Sequence, residues 1–123
     1  MHEDHVNSTV KDSVLTNNRG NTYLSIFHTA GIDGLRVEGN DIRTAGGIEA
    51  IYVVASRHKQ KQPIRNVQIV NNTTAGSGIR IEGSPAENCV VKANKHVGGK
   101  PARLLNQAQA VVENNQGSEV VMG

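Results

Sequence analysis

An asparagine recurs in this chain with the same apolar residues ahead of it. Upstream of Asn72, at three, five and eight positions, stand Ile69, Val67 and Ile64. The same template places Val37, Leu35 and Ile32 before Asn40, Val91, Cys89 and Ala86 before Asn94, and Leu15, Ser13 and Val10 before Asn18. Asn115 follows it more loosely, with Val112, Ala110 and Gln107. Successive asparagines are 22, 32, 22 and 21 residues apart. Periods of this length belong to chains made of repeated supersecondary units, each too small to bury a core alone. Stability then has to come from stacking one period on the next.

The stretch from Pro63 to Gly83 shows what one period contains. Ile64, Val67 and Ile69, then Ile79 and Ile81, are short apolar alternations, which signal strands with one buried face. Asn71-Asn72 and the Thr74-Ala75-Gly76-Ser77-Gly78 run signal sharp bends. Two strands and two bends in so short a stretch describe one turn of a wound sheet. Stacked strands share hydrogen bonds at a spacing of about 4.8 Å. An Asn at a fixed corner can then bond its equivalents in the turns above and below, and it tolerates the left-handed backbone that corners use. The expected fold class is all-β, with Asn18, Asn40, Asn72, Asn94 and Asn115 forming the ladder.

The sequence Ile64-x-Asn66-Val67-x-Ile69-x-x-Asn72, followed by Gly78-Ile79-x-Ile81-x-Gly83, resembles the coil of right-handed parallel β-helix proteins. Pectate lyases, related polysaccharide lyases and hydrolases, alginate epimerases and phage tailspikes belong to that group. The resemblance runs from about Val10 onward. It implies a solenoid of about five coils, forming a single domain over residues 10–123 behind a polar segment, residues 1–9. It also implies three sheets, the third holding Leu24-Ser25-Ile26, Ile51-Tyr52-Val53, Ile79-Arg80-Ile81 and Ala102-Arg103-Leu104. The resembling lyases use an Arg or Lys base, often beside Ca²⁺ held by several acids, and the hydrolases use grouped Asp residues. This chain departs from both. Asp33, Glu38, Asp41, Glu49, Glu82, Glu87 and Glu113 do not cluster at one column of the template; Glu38 and Glu113 share a template position but sit three coils apart. No calcium cage is legible, so no catalytic residue and no cofactor are assigned.

Composition narrows the remaining choices. Aromatic residues make up 2% of the chain, too few for a conventional sandwich core, whereas a thin coil filled with Val and Ile needs none. A net charge of +2 gives no case for nucleic acid. Cys89 is the single cysteine and falls on an inward template position, which suits a buried thiol. With no disulfide to form, cysteine usage does not indicate export. His2, Glu3, Asp4 and His5 are metal-ligand types, but no second ligand segment accompanies them, so no metal is assigned. Asn7-Ser8-Thr9 and Asn72-Thr73-Thr74 match the glycosylation acceptor pattern, although the second Asn is assigned to the ladder. No apolar run follows Met1, so neither a signal peptide nor a membrane span is expected in the chain.

Two places could hold a ligand. The 32-residue period carries its surplus in a lengthened strand, residues 48–54, and in Ala55 to Gln62. Insertions in repeats map to loops on one face, often the binding face. This one carries Arg57, His58, Lys59 and Lys61, either a solvated charged loop or a clamp for an anion. The second place is the outward column of the third sheet, expected to read Ser25, Tyr52, Arg80 and Arg103, with Glu49, Glu82 and His28 at its margins. Arginine binds carboxylates and sulfates bidentately, so Tyr52, Arg80, Arg103, Arg57, His58 and Lys59 are the candidate ligand-binding residues and an acidic polysaccharide is the expected partner. An ordinary charged sheet surface is the alternative for the column. Bare coil ends expose strand edges and core, which points to a homo-oligomer formed through a coil end or a flank. Two further readings stay open: a non-catalytic structural or assembly module, and a truncated repeat domain whose active site lies on other sequence.

Overall fold

The apolar rows seen in the sequence become rows in space because nearly every strand pairs in parallel. A computed structural model describes residues 13–15, 19–20, 23–44, 49–98 and 102–122. Residues 1–9, Val10 and Asn18 lie outside the described residues. Within them the regular structure is all-β and forms three parallel sheets. The first sheet contains β1 (Ser13–Leu15), β4 (Ile32–Glu38), β8 (Ile64–Val70), β11 (Ala86–Lys92) and β14 (Val111–Glu113). The second contains β2 (Arg19–Gly20), β5 (Asp41–Arg43), β9 (Thr73–Ala75) and β12 (Lys95–Val97). The third contains β3 (Leu24–His28), β6 (Ile51–Arg57), β10 (Ile79–Glu82), β13 (Ala102–Gln107) and β15 (Ser118–Met122). The chain visits them in fixed rotation: first, second, third, first again. A single bridge, Lys95 to Gln116, keeps that rotation between β14 and β15.

Parallel pairing in register keeps equivalent side chains on one face. Leu35, Val67 and Cys89 form one buried row of the first sheet, and Val37, Ile69 and Val91 another. In the third sheet Leu24, Ile51, Ile79 and Leu104 align, as do Ile26, Val53, Ile81 and Asn106. These rows supply most of one hydrophobic core. Each buried aliphatic side chain contributes about 1.5–3 kcal/mol against the entropy of ordering its backbone. The interior is narrow and aliphatic, as the scarcity of aromatics requires.

The corner between the first and second sheets carries the asparagines. Asn40 Nδ2 donates to Asn72 Oδ1 at 2.8 Å, Asn72 Nδ2 to Asn94 Oδ1 at 2.9 Å, and Asn94 Nδ2 to Asn115 Oδ1 at 2.9 Å. The backbone N–H of each donor residue points to the same oxygen, at 3.0, 3.0 and 3.1 Å. The second amide proton runs backwards: Asn72 donates to Val37 O, Asn94 to Ile69 O and Asn115 to Val91 O. A buried amide here finds partners for both protons and for its oxygen, which is what burial of a polar group demands.

The left-handed residue at this corner is not the ladder asparagine, as the sequence suggests, but the residue before it. Gly39, Asn71, Ala93 and Asn114 have φ of 70°, 54°, 57° and 55°. The left-handed step turns the chain so that the following side chain points inward. Other expectations also need correcting. Gln107, assigned to the first-sheet template of Asn115, ends β13 in the third sheet. The surplus of the long period is no irregular loop but a hairpin, in which β7 (Gln60–Lys61) pairs antiparallel with the end of β6. At the small-residue bend the sequence reading is more direct: Gly76 has φ +91°, and a Cβ there would run into the Thr44 carbonyl of the neighbouring period.

Removing one interior rung should strand several buried groups at once. Asn72→Ala is expected to cost about 3–5 kcal/mol, because each orphaned buried group costs about 1–3 kcal/mol. Asn115→Ala, at the last rung, should cost clearly less. Ala93→Gly should stabilise by about 0.5–1 kcal/mol, since glycine accepts positive φ without a Cβ penalty. Urea unfolding of the three variants checks both statements, and equal losses at Asn72 and Asn115 would contradict the ladder's role.

Candidate functional site

On the outward face of the third sheet, Ser25, Tyr52 and Arg80 stand in one row, as the sequence suggests. The next member is Leu105, not Arg103. Arg103 lies two residues earlier in β13 and stands opposite Glu119 of β15. The expected column of two arginines therefore does not form. The apolar pattern of Ala102-x-Leu104 imitates Ile79-x-Ile81, but the true equivalents are Leu104 and Asn106. Asn106 hides this because it is a polar residue at a buried position. Its amide donates to Ala110 O and its oxygen accepts the Ala108 and Ala110 N–H groups, closing the turn into β14.

Arg80 is held by carboxylates of its own chain. Its Nη2 lies 2.6 Å from Glu82 Oε1 and its Nη1 3.6 Å from Glu49 Oε1. The guanidinium sits 5.6 Å from the centre of the Tyr52 ring, within cation–π range. Its buried Nε finds no acceptor among the described residues. The hydrogen bond that Arg80 donates to Glu82 raises the Arg80 pKa, partial burial opposes that, and the charges of Glu82, Tyr52 and Glu49 add to the rise. Two acids around one arginine leave this patch with a surplus of negative charge and no open fork for an incoming carboxylate. The sequence reading put both acids at the margins of this column; Glu82 reaches Arg80 along the same strand and Glu49 from the neighbouring period. His28, expected at the groove margin, is buried, with Nδ1 accepting the Ala30 N–H at 3.1 Å.

The hairpin has the opposite character. Ser56 pairs with Lys61 and Arg57 with Gln60, leaving His58 and Lys59 as the turn, with φ of 49° and 64°. Positive φ at both central residues describes a type I′ turn, a geometry normally supplied by Asn-Gly. Two non-glycine residues held there cost about 1 kcal/mol or more each. Arg57, His58, Lys59 and Lys61 are all exposed. None makes an ion pair among the described residues. Elsewhere Arg36, Arg43 and Arg65 pair with Glu38, Asp41 and Asp33.

A third feature is a shallow groove of about 340 Å³ on the outer face of the first sheet, between Arg36, Gln68 and Lys92. Arg36 is already engaged there, donating to Gln68 Oε1 at 2.6 Å and to Glu38 at 3.1 Å. Among the described residues no three His, Cys, Asp or Glu side chains gather as metal ligands. Cys89 is buried in its inward row, and burial pushes its thiol pKa up, away from nucleophile chemistry. Comparison of the chain with protein-family models, curated proteins and solved structures finds no match in any of the three.

His96 and Thr74 occupy the same inward row of the second sheet, with Oγ1 and Nδ1 2.8 Å apart. Burial lowers the His96 pKa below its ordinary 6.5. The unfolded chain therefore binds the proton more readily, and stability should fall as pH drops through about 6.5 toward the lower folded value. Unfolding free energies measured from pH 8 to pH 5 should show this loss in the wild type. The loss should be smaller in His96→Gln, and identical profiles would refute the assignment.

Proposed function

We propose that the three sheets close into a right-handed parallel β-helix, and that this module binds an anionic polysaccharide through the tip of the β6–β7 hairpin. The fixed rotation through three parallel sheets and the shared aliphatic core support closure. The right hand comes from the sequence resemblance, as does the choice of a polysaccharide among polyanions. The observation that carries the binding site is the contrast in charge. Arg57, His58, Lys59 and Lys61 are grouped in one exposed hairpin and make no ion pair among the described residues, while Arg80 is occupied by Glu49 and Glu82.

Free cations grouped on a rigid turn attract sulfates or carboxylates without first breaking an internal pair. The strained turn fits the same reading, since backbone in costly conformations gathers at ligand clamps. Tyr52 and Arg80 then form a structural patch on the flank, and Arg103 stands apart from the hairpin. The proposal concerns binding, and no residue receives a catalytic role.

Retention on heparin and titration with polygalacturonate test it. Combined Arg57→Ala, Lys59→Ala and Lys61→Ala should weaken binding at least about tenfold, or 1.4 kcal/mol. The same measurements on Arg80→Ala should match the wild type. Binding should weaken as salt rises, because the tip is solvent-exposed. A triple variant that binds as tightly as the wild type, or a wild type that binds neither probe, would overturn the proposal.

A further inference from the structure

The inward rows of the third sheet run out into solvent at β15. Leu104 and Asn106 are 0% and 1% exposed, whereas Val120 and Met122, next in the same two rows, are 44% and 65% exposed. Among the described residues no strand lies beyond β15, so their exposure does not reflect an outward orientation. β12, β14 and β15 are, among the described residues, the edges of their sheets at this end, and β1, β2 and β3 are the edges at the other. The last rung of the ladder is also incomplete. Asn115 accepts from Asn94 and gives one amide proton to Val91 O. Its second amide proton and its backbone N–H have no partner among the described residues, although the corresponding groups of Asn94 both reach an oxygen in the next coil.

We propose that a second copy of this chain seats its β3 edge on β15, head to tail, and so continues the stack. Three observations select this occupant and this direction. The unpaired ladder groups of Asn115 are donors only, so a tail-to-tail joint would set ladder donors against donors, while a head-to-tail joint keeps the one-way polarity of every rung. Strands inside the molecule pair in parallel along all three sheets, and only head-to-tail contact preserves that. The β3 edge is also complementary. Continued register brings Val120 against Leu24 and Met122 against Ile26, extending the rows Leu24–Ile51–Ile79–Leu104 and Ile26–Val53–Ile81–Asn106. The Leu24 N–H bonds Ala50 O inside the molecule, so strand alternation turns the Ser25 and Phe27 N–H groups to the free edge. Tyr23 and Phe27 beside them are exposed, at 48% and 39%.

A joint between unlike surfaces does not close on itself, so it repeats. Sedimentation velocity of the wild type across the micromolar range should show dimers, trimers and longer species growing with concentration. Val120→Lys blocks the tail and Ser25→Pro removes an edge N–H at the head, and each variant alone should sediment as a monomer. An equimolar mixture should form a 1:1 dimer and nothing larger, because only one free tail and one free head remain. If Val120→Lys does not fold by circular dichroism, Met122→Lys takes its place at the same end. A wild type that stays monomeric at every concentration overturns the proposal. So does a discrete dimer that survives Ser25→Pro, which would be joined tail to tail.

Discussion

The asparagine ladder is the constraint to which the rest of the chain conforms. Each amide must meet the amide of the next period, so every period has to return to the same corner within hydrogen-bond distance. A slip of one residue would turn every aliphatic side chain of the slipped strand to the opposite face and break the ladder at the same time. Two independent penalties therefore enforce one register. The length of a period is free only where it leaves the stack, which explains the form of the 32-residue period between Asn40 and Asn72. Its surplus is folded into an antiparallel hairpin that pairs with itself and returns to Ile64 without disturbing the parallel rows. A hairpin satisfies its own backbone groups, so the insertion adds no unpaired edge to the core.

Those rows were legible in the sequence where the residues facing inward are aliphatic. Leu35, Val67 and Cys89 could be aligned by counting back from their asparagines, and the pairing follows that count. The count misled at β13, where Asn106 occupies an inward position and reads as a surface residue. Its burial depends on local bonds to Ala108 and Ala110, which leave no periodic trace. The hairpin was missed for a related reason. His58-Lys59 lacks the glycine that normally announces a type I′ turn, so the segment looks like a plain charged loop. Glu49, just ahead of β6, reaches Arg80 in the neighbouring period. Such contacts depend on side-chain length and direction, and residue spacing does not encode them.

The same geometry governs where charge is free. Parallel stacking places outward side chains on neighbouring rungs close together, so opposite charges on one sheet face find each other. Arg65 meets Asp33 and Arg80 meets Glu49 in this way, while Glu82 reaches Arg80 along the same strand. A regular sheet face therefore tends to neutralise itself. A cation escapes pairing most readily where the chain leaves the rungs, and the hairpin is where this chain does so. An insertion, more than a strand column, is therefore the place where stacked parallel sheets leave cations unpaired.

The interior changes along the stack. One row of the first sheet passes from Leu35 through Val67 to Cys89, with Ala110 next in line, and another from Ile32 through Ile64 to Ala86. In the second sheet Ile42 is followed by Thr74 and then His96. In these rows the side chains become smaller or more polar toward the β12 and β14 end, while the third-sheet row Leu24–Ile51–Ile79–Leu104 keeps its size. Where stability is a sum of unit and neighbour terms, the last period has smaller inward side chains in its first and second sheets and one neighbouring period among the described residues. Left bare, it would be the first to open, and protonation of His96 would loosen it further. A joint that gives the last coil a second neighbour would therefore add stability where the chain itself supplies least.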